Sequence, residues 1–190
     1  MSEPGRQAGA GVPVGSGEPG VPVELVIPDA EAMEALGARL AGLLRVGDVV
    51  LLNGELGAGK TTLTRGLGAA LGARGAVTSP TFVLARTHPT ASGVPLVHVD
   101  AYRLATAAEV DDLDLDLEGS ITVVEWGAGK LEGVLDSWLE LDIARPLGGA
   151  PASGALASDD APASDDPASD AAPRHVRLTP RGPRWLGQTL

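Results

Sequence analysis

The chain has 190 residues, 25 acidic against 14 basic side chains, a formal net charge of −11 and no cysteine. That length suits one domain with appendages, the missing thiols exclude disulfides, zinc–thiolate sites and cysteine nucleophiles, and the surplus negative charge repels a bare polyanion such as a nucleic acid. No apolar run approaches the roughly 20 residues that cross a bilayer, and the N-terminus lacks a basic-then-apolar order, so a cytoplasmic chain with no membrane contact is expected.

Residues 1–22 contain six Gly and four Pro with almost no large apolar side chains, too little to offset the entropy of ordering, and are expected to form a disordered tail. Residues 23–27 (VELVI) then predict a strand. Asp29 is placed to cap a helix running to Leu44, whose Met33, Leu36, Leu40, Leu43 and Leu44 share a face. Three short runs lack alternation: VVLL at 49–52, LVHV at 96–99 and ITVV at 121–124. Continuous apolar runs of this length suit strands covered on both faces, as in a parallel sheet between helices. A further strand is predicted over residues 82–86.

Near the C-terminus, residues 138–143 (WLELDI) and 175–179 (HVRLT) alternate apolar and polar side chains like two strands of a hairpin. Between them, residues 148–173 are built from Ala, Asp, Ser, Pro and Gly, with five Asp and no base. Lengthening a surface loop costs little closure entropy, so this acidic, low-complexity stretch is tolerable as an insertion. The predicted domain is therefore 23–147 plus 174–190. It should be an α/β, P-loop NTPase-like three-layer fold: a mainly parallel central sheet, helices on both faces and an antiparallel C-terminal hairpin. Of the net −11, the insertion holds −5 and the tail −1, leaving a mildly acidic core of −5.

Residues 54–61, GELGAGKT, fit G-x-x-x-x-G-K-[ST] at every defined position, after a strand and before a helix expected over residues 61–71 with Leu63, Leu67, Ala70 and Leu71 on one side. The chemistry explains the residue types. Gly54, Gly57 and Gly59 let the backbone turn so that successive N–H groups point at phosphate oxygens, with Glu55, Leu56, Ala58 and Thr62 completing the loop and its exit. The following helix adds its positive end. Lys60 reaches β and γ phosphates, and the Thr61 hydroxyl ligates Mg²⁺. Only two lysines exist in the chain, Lys60 and Lys130, so a chance fit is improbable even with 26 Gly.

Such a site needs a carboxylate at a strand end to hold the metal or its water, and two candidates follow the apolar runs: Asp100 and Glu125. Spacing alone does not rank them. The acid run Asp111, Asp112, Asp114, Asp116 and Glu118 fails as a calcium loop, because Leu117 stands where the sharp-turn glycine is required from Asp112. His98 lies within an apolar run and reads as a core histidine more readily than as a ligand. In TSPTF, residues 78–82, hydroxyls flank a rigid proline: either a plain turn or a switch in which Ser79 and Thr81 sense the γ phosphate or its attacking water. Three of the five aromatics, Phe82, Tyr102 and Trp126, fall beside these polar clusters, which suggests a site.

These motifs, GELGAGKTT (54–62), SPTF (79–82), HVDAYR (98–103) and Glu125-Trp126, occur in the order and spacing of the bacterial TsaE (YjeE) ATPases, which the chain resembles over about 23–143 plus 174–185. The resemblance implies phosphate and magnesium roles for Lys60 and Thr61, a second magnesium-associated acid at Glu125 and an acid needed for hydrolysis at Asp100. It also implies a nucleotide-side basic residue at Arg174, and sets Trp126 beside the nucleotide. Met33 and Gly127 depart from the family's usual threonine and proline. The implied function is binding and hydrolysis of Mg·ATP in support of the TsaD and TsaB proteins, which threonylcarbamoylate an adenosine beside the anticodon of tRNA. The implied cofactors are ATP and Mg²⁺, with tRNA held by the partners. A small-molecule kinase shares the loop, but residues 77–125 hold only Arg86 and Arg103 for a lid. A nucleotide-binding scaffold without turnover is the third reading, and a GTPase is disfavoured because no Asn-Lys-x-Asp sequence is present.

Overall fold

In a computed structural model of the chain, the residues described are 20–104, 106–131, 133–145, 172–186 and 188. The expected tail and acidic insertion lie outside them, apart from residues 20–22 and 172–173. The elements in order are β1 (Val23–Ile27), α1 (Ala30–Ala41), β2 (Val49–Asn53), α2 (Lys60–Ala70), β3 (Ala85–His88), β4 (Leu96–Asp100), α3 (Ala107–Asp111), β5 (Ile121–Glu125), β6 (Trp138–Ala144) and β7 (Arg174–Arg181), then a 3-10 turn at Pro183–Trp185.

One seven-stranded sheet has the order β1-β7-β6-β2-β5-β4-β3. Its centre is parallel, β6 with β2, β2 with β5 and β5 with β4. The borders are antiparallel: β3 on β4 at one side, and β7 between β6 and β1 at the other. This is the expected α/β fold with its C-terminal hairpin. The unalternating strands are covered twice, as anticipated: Val50, Leu52, Leu96 and Val123 meet α1 and α2 in one core, while Val49, Leu51, Val97, Val99 and Val124 pack with Leu104, Val110, Leu131, Leu135 and Trp138 in the other. The second layer is thin, a five-residue helix and loops. On β6 the alternation has a direct cause. Leu139, Leu141 and Ile143 face the helices, whereas Glu140 and Asp142 turn to the other side, where Arg181 reaches Glu140 at 2.8 Å and Asn53 reaches Asp142 at 3.1 Å.

Asp29 caps α1 as expected, accepting the Ala32 N–H at 2.8 Å. Three local readings change. Leu43 is 37% exposed beyond the last turn of α1 rather than on its core face. Ala70 is exposed, and α2 instead buries Gly66 and Gly68 beside Leu63 and Leu67. The reason is close helix contact: a Cβ on Gly66 would lie 2.0 Å from the Glu34 carbonyl oxygen, and one on Gly37 2.1 Å from that of Leu63. Finally, β3 begins at Ala85, not Phe82, because the Pro80 carbonyl accepts the N–H groups of both Val83 (2.9 Å) and Leu84 (2.7 Å), closing a turn that Leu84 leaves at φ 66°.

Candidate active site

β2 delivers the chain to the glycine loop at the carboxyl edge of the sheet, where open α/β folds bind ligands. Gly54 has φ 140°, and a Cβ there would sit 2.4 Å from the Ile143 carbonyl oxygen, so only glycine turns the chain under β6. Gly59, at φ 112°, is the N-cap of α2 and supplies no side-chain acceptor, which leaves the first-turn N–H groups of the helix without a side-chain cap. Leu56, Gly57, Ala58, Gly59, Lys60, Thr61 and Thr62 line a cavity of about 590 Å³. Gly54 and Glu55 do not; they act from behind, their carbonyls accepting the Lys60 ammonium at 2.7 and 3.0 Å. Lys60 also lies 3.7 Å from the centroid of the Trp126 ring. Burial pushes its pKa down, and the charges of Glu125 and Asp100 oppose that shift.

The two candidate acids are register partners at the ends of β4 and β5, yet they are bonded differently. Asp100 is tied to the turn before it: Oδ2 accepts the Thr81 hydroxyl at 2.6 Å, Oδ1 accepts the Tyr102 N–H at 3.0 Å, and Ser79 lies 2.7 Å from the Thr81 hydroxyl. Arg103 donates to the Thr81 carbonyl and Lys130 to that of Ala101, fixing both flanks. Glu125 is tied to the glycine loop: Oε1 accepts the Thr61 hydroxyl at 2.8 Å and faces His98 Nε2 at the same distance. Trp126, at φ 63°, sits in the left-handed region that a bulky residue rarely occupies, with its ring edge-on to Tyr102 at 5.2 Å.

Ser79, Thr81, Asp100, Glu125, Trp126 and Arg174 all line the same cavity as the loop. Arg174 opens β7 and is buried, donating to the Ala172 carbonyl. Asp29, Ala30 and Met33, from the first turns of α1, complete the wall. Sequence reasoning gave Asp29 a capping role and assigned nothing to Ala30, since only the crossing of α1 over α2 brings them to the loop. It also set His98 aside, although its place two residues before Asp100 puts it on the same side of β4. The donors present, a hydroxyl and two carboxylates, suit a hard cation such as Mg²⁺ that keeps waters and phosphate oxygens as its remaining ligands.

Residues 27–147 match the family model described as "Threonylcarbamoyl adenosine biosynthesis protein TsaE". The chain belongs to the TsaE family. A protein of Streptomyces coelicolor named "tRNA threonylcarbamoyladenosine biosynthesis protein TsaE" is 63% identical over 120 residues, covering 61% of this chain and 81% of that one. The protein of the same name from Mycobacterium tuberculosis H37Rv is 46% identical over 129 residues, covering 63% and 77%. Among solved structures, "Crystal structure of Bacillus subtilus YdiB" shares the fold with a TM-score of 0.57 at 27% identity, over 85% of this chain and 87% of that one. In this TsaE-family chain the model match ends before β7, so Arg174 lies outside the region that the match covers. No described helix is long and apolar enough to cross a membrane.

Proposed function

We propose that the chain serves tRNA threonylcarbamoyladenosine biosynthesis as an ATPase, binding and hydrolysing Mg·ATP in support of TsaD and TsaB. The names of its relatives support the pathway. The observation that carries the chemistry is the 2.8 Å bond between Thr61 and Glu125, which joins the uncapped end of α2 to a strand-end carboxylate beside a buried lysine. In this reading the loop N–H groups and Lys60 hold the phosphates, with Lys60 exchanging the Gly54 and Glu55 carbonyls for phosphate oxygens. Thr61 and Glu125 would hold Mg²⁺, which when bound neutralises charge on the transferred phosphoryl group. The chain Ser79–Thr81–Asp100 offers a path for the proton of an attacking water to reach Asp100 Oδ2. Trp126 and Arg174 flank the nucleotide.

A partner that reads the nucleotide state needs a surface at the mouth of the site. Leu56 and Tyr102, 82% and 65% exposed, supply apolar side chains there, and Phe82, 94% exposed, directly follows the lining residue Thr81. Charge supports leaving tRNA to the partners. Phosphate release should be measured for the purified chain with ATP and Mg²⁺, alone and with TsaD and TsaB. Turnover that appears or rises with the partners is expected; absence of both ATP binding and turnover under every condition would remove the proposal.

A further inference from the structure

His98 is fully buried on β4, with Leu96 two residues before it in the helix-facing core and Val123 as its register partner on β5. Its Nε2 lies 2.8 Å from Glu125 Oε1, while its Nδ1 is buried with no hydrogen-bond partner. A proton on Nδ1 would be an orphaned buried donor, and it would leave Nε2 facing a carboxylate that can only accept. The proton therefore belongs on Nε2, which donates to Glu125. Oε1 thus receives two donors, His98 Nε2 and Thr61 Oγ1, and both of its lone-pair directions are used. Oε2 receives none from any described residue, and Glu125 lines the cavity.

We propose that His98 is the positioning residue of the metal site, anchoring Glu125 by Oε1 so that Oε2 is the oxygen presented to a divalent cation. The inference deepens the Mg·nucleotide reading above and rests on it. The physical need is specific. Thr61 Oγ1 has to serve the cation through its lone pairs as well as Glu125 through its proton, so His98 is the one described side chain whose bond to the carboxylate is not shared with the metal. Without His98 the carboxylate is free to rotate about its last bond, and cation binding then bears the cost of ordering it. A histidine serving packing alone would leave this dependence absent.

The test is ADP binding to the full chain by calorimetry, with Mg²⁺ titrated against a chelated control. Glutamine at 98 places an amide nitrogen near the imidazole Nε2; asparagine places the same amide near Nδ1, one methylene short of Glu125. With His98→Gln the half-saturating Mg²⁺ concentration should stay within about twofold of wild type, and with His98→Asn it should rise about tenfold. ADP affinity in chelator should be unchanged in both. A folded Asn variant with wild-type Mg²⁺ dependence overturns the proposal, as does a folded Gln variant that has lost it. If the Asn variant melts below the assay temperature, His98→Met, which fills the space without a donor to Glu125, takes its place with the same expected rise, and a folded Met variant with wild-type Mg²⁺ dependence overturns the proposal. A wild-type protein whose ADP affinity ignores Mg²⁺ would instead remove the metal reading of Thr61 and Glu125, and this inference with it.

Discussion

At each end of β2 the fold gathers a carboxylate, a cation and an indole, and it treats them in opposite ways. Before the strand, Asp48 is closed by a fork: Arg184 Nε reaches Oδ1 at 3.0 Å and Nη2 reaches Oδ2 at 2.9 Å, while the Arg45 N–H takes Oδ2 at 2.8 Å. Arg184 also stacks on Trp185 at 4.2 Å and donates to the Leu43 carbonyl. After the strand, Lys60 has no described carboxylate within ion-pair distance, Glu125 keeps one oxygen without a donor, and Trp126 is held at positive φ. Cavities of about 590 and 600 Å³ lie at the two ends, so size does not tell them apart. What does is satisfaction. The first set is bonded to itself and gives a ligand nothing, whereas the second is bonded to groups that a polyphosphate and a cation can replace.

Exchanging single residues between stability and binding is the sharpest way to break that contrast. Lys60→Ala should remove nucleotide binding and lower any partner-stimulated hydrolysis by about a hundredfold or more, while leaving urea stability equal or higher, because an ammonium desolvated without an ion pair is deleted. Next in size, Arg184→Ala should cost about 2 kcal/mol in urea unfolding, below the 3–5 of a fully buried pair since Arg184 is 21% exposed. ADP affinity measured by calorimetry should not move. A stability loss with Lys60→Ala, or a binding loss with Arg184→Ala, would show that the two ends are not separate.

The poised end was legible in part because its chemistry is local. Residues 54–61 sit on consecutive positions, and Asp100 and Glu125 each terminate an unalternating apolar run whose length suits a doubly covered strand. The hairpin was legible because β6 and β7 alternate. Three kinds of information did not follow from the pattern of apolar residues. The Thr61–Glu125 and His98–Glu125 bonds span 64 and 27 residues, and they exist because β5 lies between β2 and β4. The Arg184–Asp48 fork spans 136. At residues 82–86 a β-favouring composition lost to a local turn, since the Pro80 carbonyl captures two N–H groups before the strand can pair. On α2, apolar periodicity pointed to Ala70, but the approach of α1 selects residues without side chains, Gly66 above all.

That helix contact gives the third prediction. Gly66→Ala places a methyl 2.0 Å from the Glu34 carbonyl, so α2 must move away from α1. The expected cost is about 1–2 kcal/mol in urea unfolding. Unlike Arg184→Ala, it should also weaken ADP binding, because Lys60 and Thr61 open the displaced helix. A destabilised Gly66→Ala protein with wild-type ADP affinity would mean that the loop is held by β2 alone.

The smallest effect tests whether satisfaction is complete at the locked end. His88 pairs with Leu96 where β4 starts, is buried, and has an Nε2 without a partner. Burial lowers its pKa from 6.5, and the charge of Arg86 adds to this against a bond to the Arg74 backbone. The sign follows: as pH falls through 6.5 the unfolded chain takes up a proton that the folded chain refuses, so folding weakens in that window and the loss flattens below the folded pKa. His88→Gln should therefore show a smaller drop in Tm than wild type between about pH 7.5 and 5.5. Equal drops in the two proteins would place the acid sensitivity elsewhere and leave the locked end without a titrating weakness.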